Sequence, residues 1–328
     1  MSTAQLVPET RELDGDDAAA TLRHARFGRL LLDSVKRFRS ADGFSHARSL
    51  AFATLITILP GIIAIVGLAT VLGIESFSEA VEDLIEDLAP GASGEILTDA
   101  LGQGRSSLSH SVLPMAFGLI AMGFSGVTAF GQIERGSNRI YGIEMDRPFR
   151  DKYGKALRMF LLSLAIVTVI FVVFGIFHGA HLFGPRWFRW TIRTAAGVGF
   201  AAAFFAYVFQ RSPRRRQPDL SWLVVGSGIA TLLWVLSTAA LGLFWQLGDT
   251  FGDTYGPLAG VMAMCLWCYV IAIGLYLGLS FAAQLEAVRA GRGNPQDPRK
   301  VAQSEPGSVV MSAGPVETVP DQIRVDGV

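Results

Sequence analysis

The chain has 328 residues, 51% hydrophobic and 17% charged, and its 28 Lys and Arg are balanced by 28 Asp and Glu. A charged fraction below the usual figure of about 25%, with apolar residues gathered in long blocks, excludes an ordinary soluble domain. Zero net charge gives no support to a nucleic-acid partner, and the two cysteines, Cys265 and Cys268, lie in one apolar run and exclude a disulfide framework.

Residues 1–26 are polar, lack the basic start and apolar centre of a signal peptide, and are expected to form a disordered tail. Next, Phe27, Leu30, Leu31, Val35 and Phe38 recur at helical spacing with Arg29, Lys36 and Arg37 between them. This predicts a basic amphipathic helix, either lying on the inner membrane surface or packed on the cytoplasmic ends of a bundle. It opens a membrane domain expected over residues 27–286.

The first span is expected at about 50–73, with Pro60 near its middle. Proline removes a backbone donor and kinks the helix, and Thr54 and Thr57 are placed to satisfy the freed carbonyl. The stretch 74–110 is acidic, with Phe77, Val81, Leu84, Ile85 and Leu88 on one helical face, which predicts an acidic amphipathic outer helix capping the bundle. Pro90-Gly91 would be the turn that ends it. The second span, about 112–133, passes without a break into Glu134-Arg135-Gly136-Ser137-Asn138-Arg139, so the hydrocarbon ends near Gln132. Further spans are expected at about 156–177, 190–209, 220–243 and 257–281, and residues 287–328, rich in Pro, Gly and Ser, as a disordered cytoplasmic tail.

The expected fold is therefore all-α: a polytopic membrane protein with six transmembrane helices. Basic residues cluster at 29–48, 135–158, 211–216 and 289–300, whereas the opposite side holds Arg105, Arg186, Arg189 and Arg193. Basic residues are retained inside during insertion, so both termini are expected in the cytoplasm of a bacterial cell. Two ladders of small residues, Ala195/Gly199/Ala203 and Gly274/Gly278, mark where helix backbones can approach.

Ser125, Thr128, Gln132, Arg135 and Arg139 step by three and four, so they form one polar stripe from mid-membrane to the cytoplasm. Such stripes tend to face a bundle interior or wet cavity, which makes this the candidate pathway or cleft. The simpler reading is that Ser125 and Thr128 bond their own helix carbonyls while the arginines sit at the interface. Tyr269, Tyr276, Ser280 and Gln284 form a weaker second stripe, better read as helix contacts. Cys265-Leu266-Trp267-Cys268 lies in an apolar helix without a second pair, and His178 and His181 are two imidazoles alone. Neither suits metal or redox chemistry, so no cofactor is expected.

Leu50 to Pro60, the run Gly123 to Phe149 with Asn138, Tyr141 and Arg147-Pro148-Phe149, and Tyr255-Gly256-Pro257 followed by Trp267 and Tyr269 resemble the YihY/BrkB family of bacterial inner-membrane proteins. The resemblance covers Phe27 to Glu286, and it implies a six-helix inner-membrane protein of largely unassigned biochemistry. Some members carry a virulence-factor label and others an old ribonuclease BN label. Departures are Phe52 for a common tyrosine, Thr57 for a common serine, and Ser280 and Ala282 where the family pattern has Glu and Asn.

A nuclease needs clustered carboxylates to hold metal or to act as acid and base, and Glu134, Glu144, Asp146 and Asp151 stand in a mainly basic setting. The ribonuclease reading is rejected, and no enzyme activity is expected. The reading adopted is transport or translocation of a small solute or lipid. Its alternative is a non-transporting envelope scaffold that binds protein partners. Membrane lipid is the expected partner, nucleic acid is not, and a homo-oligomer or an envelope protein partner stays open.

Overall fold

In the computed structural model, the described residues are 2–10, 13–71, 98–99, 102, 113–179, 186–247 and 257–304. The expected acidic outer helix of 74–110, the loop around Asp249 and Asp253, His181, Tyr255 and Gly256 fall almost wholly outside them. Two short helices come first, α1 (Gly15–His24) and α2 (Phe27–Ser40). Long helices follow: α3 (Gly43–Val71), α4 (Leu113–Ile140), α5 (Phe149–Gly179), α6 (Arg186–Arg211), α7 (Leu220–Leu247) and α8 (Pro257–Arg289). A short α9 (Pro298–Ser304) lies beyond α8.

Each long helix exceeds the roughly 20 residues that a bilayer requires. Among the described residues, three segments are also apolar enough to cross one: Ala116–Ile140, Leu220–Leu243 and Gly260–Arg289. Their outward faces carry large apolar side chains, among them Phe117, Ile120 and Phe124 on α4, Leu232 and Leu236 on α7, and Leu266 on α8. In water such a surface would aggregate; in hydrocarbon it is the ordinary exterior.

α8 is the centre of the packing. It meets α7 on one side and α3 on another, with α2 laid across it, while α3 pairs with α4, α4 with α5, and α6 with α7. The α7–α8 contact is close because glycines face each other: a Cβ on Gly226 would lie 2.6 Å from the Gly278 carbonyl, and one on Gly278 would lie 2.5 Å from the Gly226 carbonyl. Gly136 on α4 admits the ring of Tyr276, which a Cβ would meet at 2.4 Å. The Gly274/Gly278 ladder is thus a helix-packing seam. Gly199 has open space beside it, and Ala195 and Ala203 are exposed, so the α6 ladder faces away from the other described helices.

Helix ends are set by local chemistry. Asp14 caps α1, accepting from the amides of Asp16 and Asp17 at 3.0 Å each, and Arg23 and His24 in the last turn suit the helix dipole. α4 and α8 end in the same glycine motif. Gly142 (φ 76°) and Gly291 (φ 72°) take the left-handed position, and the amides of Ile143 and Arg292 reach back to the carbonyls of Asn138 and Ala287, each at 2.8 Å. α3 runs through Pro60, and the Thr57 hydroxyl donates to the Ala53 carbonyl at 2.7 Å rather than to that of Ile56, which the proline leaves free.

Among the described residues, parts of both expected tails are packed. Residues 2–10 are packed rather than disordered: Ala4 and Val7 are buried, and the amides of Thr3, Gln5 and Val7 donate to the carbonyls of Ser40, Pro295 and Tyr141. α1 continues the order through residue 24. Residues 291–304 return over the same end, with an antiparallel bridge between Ala4 and Gln296 and an amide bond from Asp297 to Thr3. The polar composition of both segments concealed this, because their order comes from backbone pairing with each other and not from an apolar core of their own. α2 also differs in which face it buries. Leu30, Ser34, Arg37 and Phe38 are inside while Phe27, Leu31 and Val35 are exposed, so a basic residue sits on the packed side.

A bulky side chain at the α7–α8 seam has no room to relax, because backbone stands on both sides. Gly278→Val should lower stability in detergent by at least about 1–3 kcal/mol, measured by denaturant titration. Gly199→Val, on the open ladder of α6, should change it by far less.

Candidate functional site

α3, α5 and α7 begin, and α4, α6 and α8 end, at one end of the bundle, where most charged side chains collect. Charge there is paired rather than dispersed. The loop after α6 places Arg215 inside, its side chain 2% exposed, against the fully buried carboxylate of Glu286 near the end of α8, at 2.6 Å. The same guanidinium donates to the Pro8 carbonyl at 3.1 Å and lies 4.5 Å above the ring of Tyr141. Thr10 donates its hydroxyl to Glu286 Oε1, so the amino-terminal segment joins the pair.

Arg37, also fully buried, comes in from α2. It donates to Gln284 Oε1 at 2.7 Å and to the carbonyls of Gln5 (2.9 Å) and Ile140 (3.2 Å). Burial pushes its guanidinium down to about 10, with Tyr141 and Glu286 acting in the opposite direction, so it stays charged at neutral pH. Gln284 in turn donates to the Gly293 carbonyl at 2.6 Å, tying the carboxy-terminal segment to the group. Burial, with Glu286 adding to it, pushes the Tyr141 phenol up, so it is neutral.

A second group adjoins the first through the α4–α5 turn. Asn138, fully buried, donates to Asp146 Oδ1 at 3.0 Å and accepts from the Arg214 amide at 2.7 Å. Asp146 also pairs with Lys152 (2.9 Å) and Arg135 (3.2 Å). Burial would raise this carboxyl, but the hydrogen bonds from Asn138 and Lys152 and the charge of Lys152 outweigh it and hold it down to about 2. Arg147 bridges Glu134 at 2.8 Å and the Pro213 carbonyl at 2.9 Å, and Ser137 meets Ser212 at 2.8 Å.

The residues of the α4 stripe have separate local partners. Ser125 donates to the Ala121 carbonyl at 2.7 Å and Thr128 to that of Phe124 at 2.9 Å. The Gln132 carbonyl accepts from the Tyr276 hydroxyl at 3.0 Å, Arg135 is paired with Asp146, and the Arg139 carbonyl accepts from Ser2 at 3.2 Å. On the second stripe Tyr276, Ser280 and Gln284 are all fully buried in contacts of α8 with its neighbours, and Tyr269 is half-buried. Trp267 donates to the Thr238 hydroxyl at 3.2 Å. Cys265 and Cys268 are free thiols, and among the described residues no group of three or more His, Cys, Asp or Glu is placed to hold a metal.

The sequence pattern places Arg37 on a basic amphipathic helix and Arg215 in a basic inner cluster, and gives Glu286 no role. A usable signal was present: Glu286 is a lone acid closing a long apolar helix on the side where basic residues accumulate, and such an acid must find a cation.

These features define a helical membrane protein whose polar side chains are concentrated in a paired network at one end of apolar helices. Residues 34–303 match the model of the virulence factor BrkB family, and the chain belongs to that family. It is 24% identical over 264 residues to a putative ribonuclease-like protein YfkH of Bacillus subtilis, covering 76% of this chain and 92% of the relative. It is 25% identical to UPF0761 membrane proteins of Rhodospirillum centenum (84% of this chain, 60% of the relative) and Azoarcus sp. (77% and 62%). The chain thus spans about three fifths of those two relatives. No solved structure matches it significantly.

Two outcomes follow from the pairing. Glu286→Ala strands Arg215 in a buried site, and the expected loss is about 3–5 kcal/mol in a detergent unfolding titration. Asp146 is held below its usual 3.8, so its contribution is complete above about pH 4 and is lost as pH falls toward 2. Asp146→Asn should flatten that limb of the stability–pH profile; a limb as steep as in the parent protein would contradict the assignment.

Proposed function

We propose that this protein moves a small solute or lipid across the bacterial inner membrane, with the charged end of the bundle as its inner gate. In this reading all six long helices cross the bilayer, and the positive-inside rule puts the charged end and both termini in the cytoplasm. The Ser125 to Arg139 stripe, between α3 and α8, is the polar track that leads to the gate.

The observation that carries the proposal is the buried Arg215–Glu286 pair. An ion pair removed from water contributes little net stability compared with apolar residues of the same size. It does hold three separate pieces together: α8, the α6–α7 loop and the amino-terminal segment. A charge-paired closure can break and reform, which suits a gate better than it suits a permanent seal. The Tyr276 to Gln132 bond closes the α4–α8 contact one level deeper.

Nucleic-acid hydrolysis has no part in the proposal. The ribonuclease-like name belongs to the Bacillus relative. In this chain Glu134 is engaged by Arg147, Asp146 by Arg135 and Lys152, and Glu144 by Lys300. Carboxylates so neutralised are poor ligands for a catalytic cation.

Reconstituted vesicles provide the test. Protein-containing vesicles should move headgroup-labelled lipid or a member of a small-solute panel faster than empty ones. Glu286→Gln should raise the rate at least about two-fold by loosening the gate, while Gln132→Leu and Arg139→Ala should lower it. Rates equal to those of empty vesicles for lipid and the whole panel would refute translocation.

A further inference from the structure

The group around Glu286 is not electrically balanced. Two guanidiniums, Arg37 and Arg215, stand near one carboxylate, which pairs directly with Arg215 alone, and the nearby phenol of Tyr141 is neutral. All four side chains are at most 2% exposed. The group therefore carries one surplus positive charge inside protein, a costly arrangement unless something compensates it.

Its hydrogen-bond accounting points the same way. Arg37 leaves Nη2, Arg215 leaves Nη1 and Tyr141 leaves its hydroxyl without a partner in the protein. Gln217 lies beside the Tyr141 hydroxyl, yet neither makes a bond of normal geometry with the other. Glu286 Oε2, Gln5 Oε1 and both side-chain atoms of Gln217 are also unpartnered, and an acceptor-only ion would engage the donors of Arg37, Arg215 and Tyr141. The terminal segments lie against the group: Arg215 donates to the Pro8 carbonyl, Thr10 to Glu286, and Gln284 to the Gly293 carbonyl. With all four side chains buried, a nucleotide or a lipid headgroup has no access to these donors, and a small ion is the ligand of fitting size.

We propose that Arg37, Arg215 and Tyr141 form a buried site for one small monovalent anion of the halide class, which balances the latch on Glu286. Each donor is either charged or a phenol, the groups that bind anions best in a desolvated pocket. The site is independent of whether the protein translocates anything. It makes the closed end of the bundle responsive to chloride.

The test is the thermal midpoint of the purified full chain in detergent, with chloride replacing gluconate at fixed ionic strength. The midpoint should rise by a few degrees and saturate, and chlorine-35 resonance broadening should be relieved by bromide. Arg37→Gln should abolish the chloride dependence. If that variant does not fold, Tyr141→Phe, which removes one neutral donor, should shift the half-saturating chloride upward about five- to ten-fold. Asp146→Asn, outside the group, should leave it unchanged. Equal midpoints in chloride and gluconate, or an unaltered chloride response in Tyr141→Phe, would mean that water alone fills these hydrogen bonds and would overturn the proposal.

Discussion

The structure depends on a charge that could not stay where it is alone. Glu286 stands at the end of a helix that is otherwise apolar for most of its length, and it is fully buried. Desolvating a lone carboxylate would shift it to the neutral form or unravel the helix end. Arg215 offsets part of that cost by pairing with the carboxylate, and the α6–α7 loop that carries Arg215 lies folded inward against Glu286. Once that loop is in place, its Pro8 contact and the Thr10 bond draw the first ten residues across the bundle. The amino-terminal segment is thus anchored to the paired acid as well as by its backbone bonds to other parts of the chain.

Deeper in the bundle the governing constraint changes from charge to volume. Lipid offers no hydrophobic advantage to helix association, so contact must come from close fit. Gly226 against Gly278 and Gly136 against Tyr276 supply it, at distances where any Cβ would collide. Membership of the BrkB family fits a fold of this kind, in which apolar helices are locked at one end by polar bonds and along their length by glycine.

Much of this was legible in the sequence. Apolar blocks located the long helices among the described residues to within several residues. The Gly274/Gly278 seam was readable because residues four apart share a helix face. What could not be read was pairing between distant segments. Arg37, Arg215 and Glu286 are separated by well over a hundred and by about seventy residues, and nothing local marks them as partners. The terminal segments misled for a related reason: polar composition reports a lack of core-forming residues, whereas Ala4, Val7 and Gln296 are ordered by backbone bonds to other parts of the chain. Tyr255 and Gly256, singled out by the family resemblance, lie outside the described residues.

The most direct measurement of the central claim is a double-mutant cycle on Arg215 and Glu286, using Arg215→Met, Glu286→Met and the double variant in detergent unfolding. A buried pair in contact predicts a coupling of roughly 2–3 kcal/mol, with the double variant more stable than either single one. Additive losses, with a coupling near zero, would contradict the account.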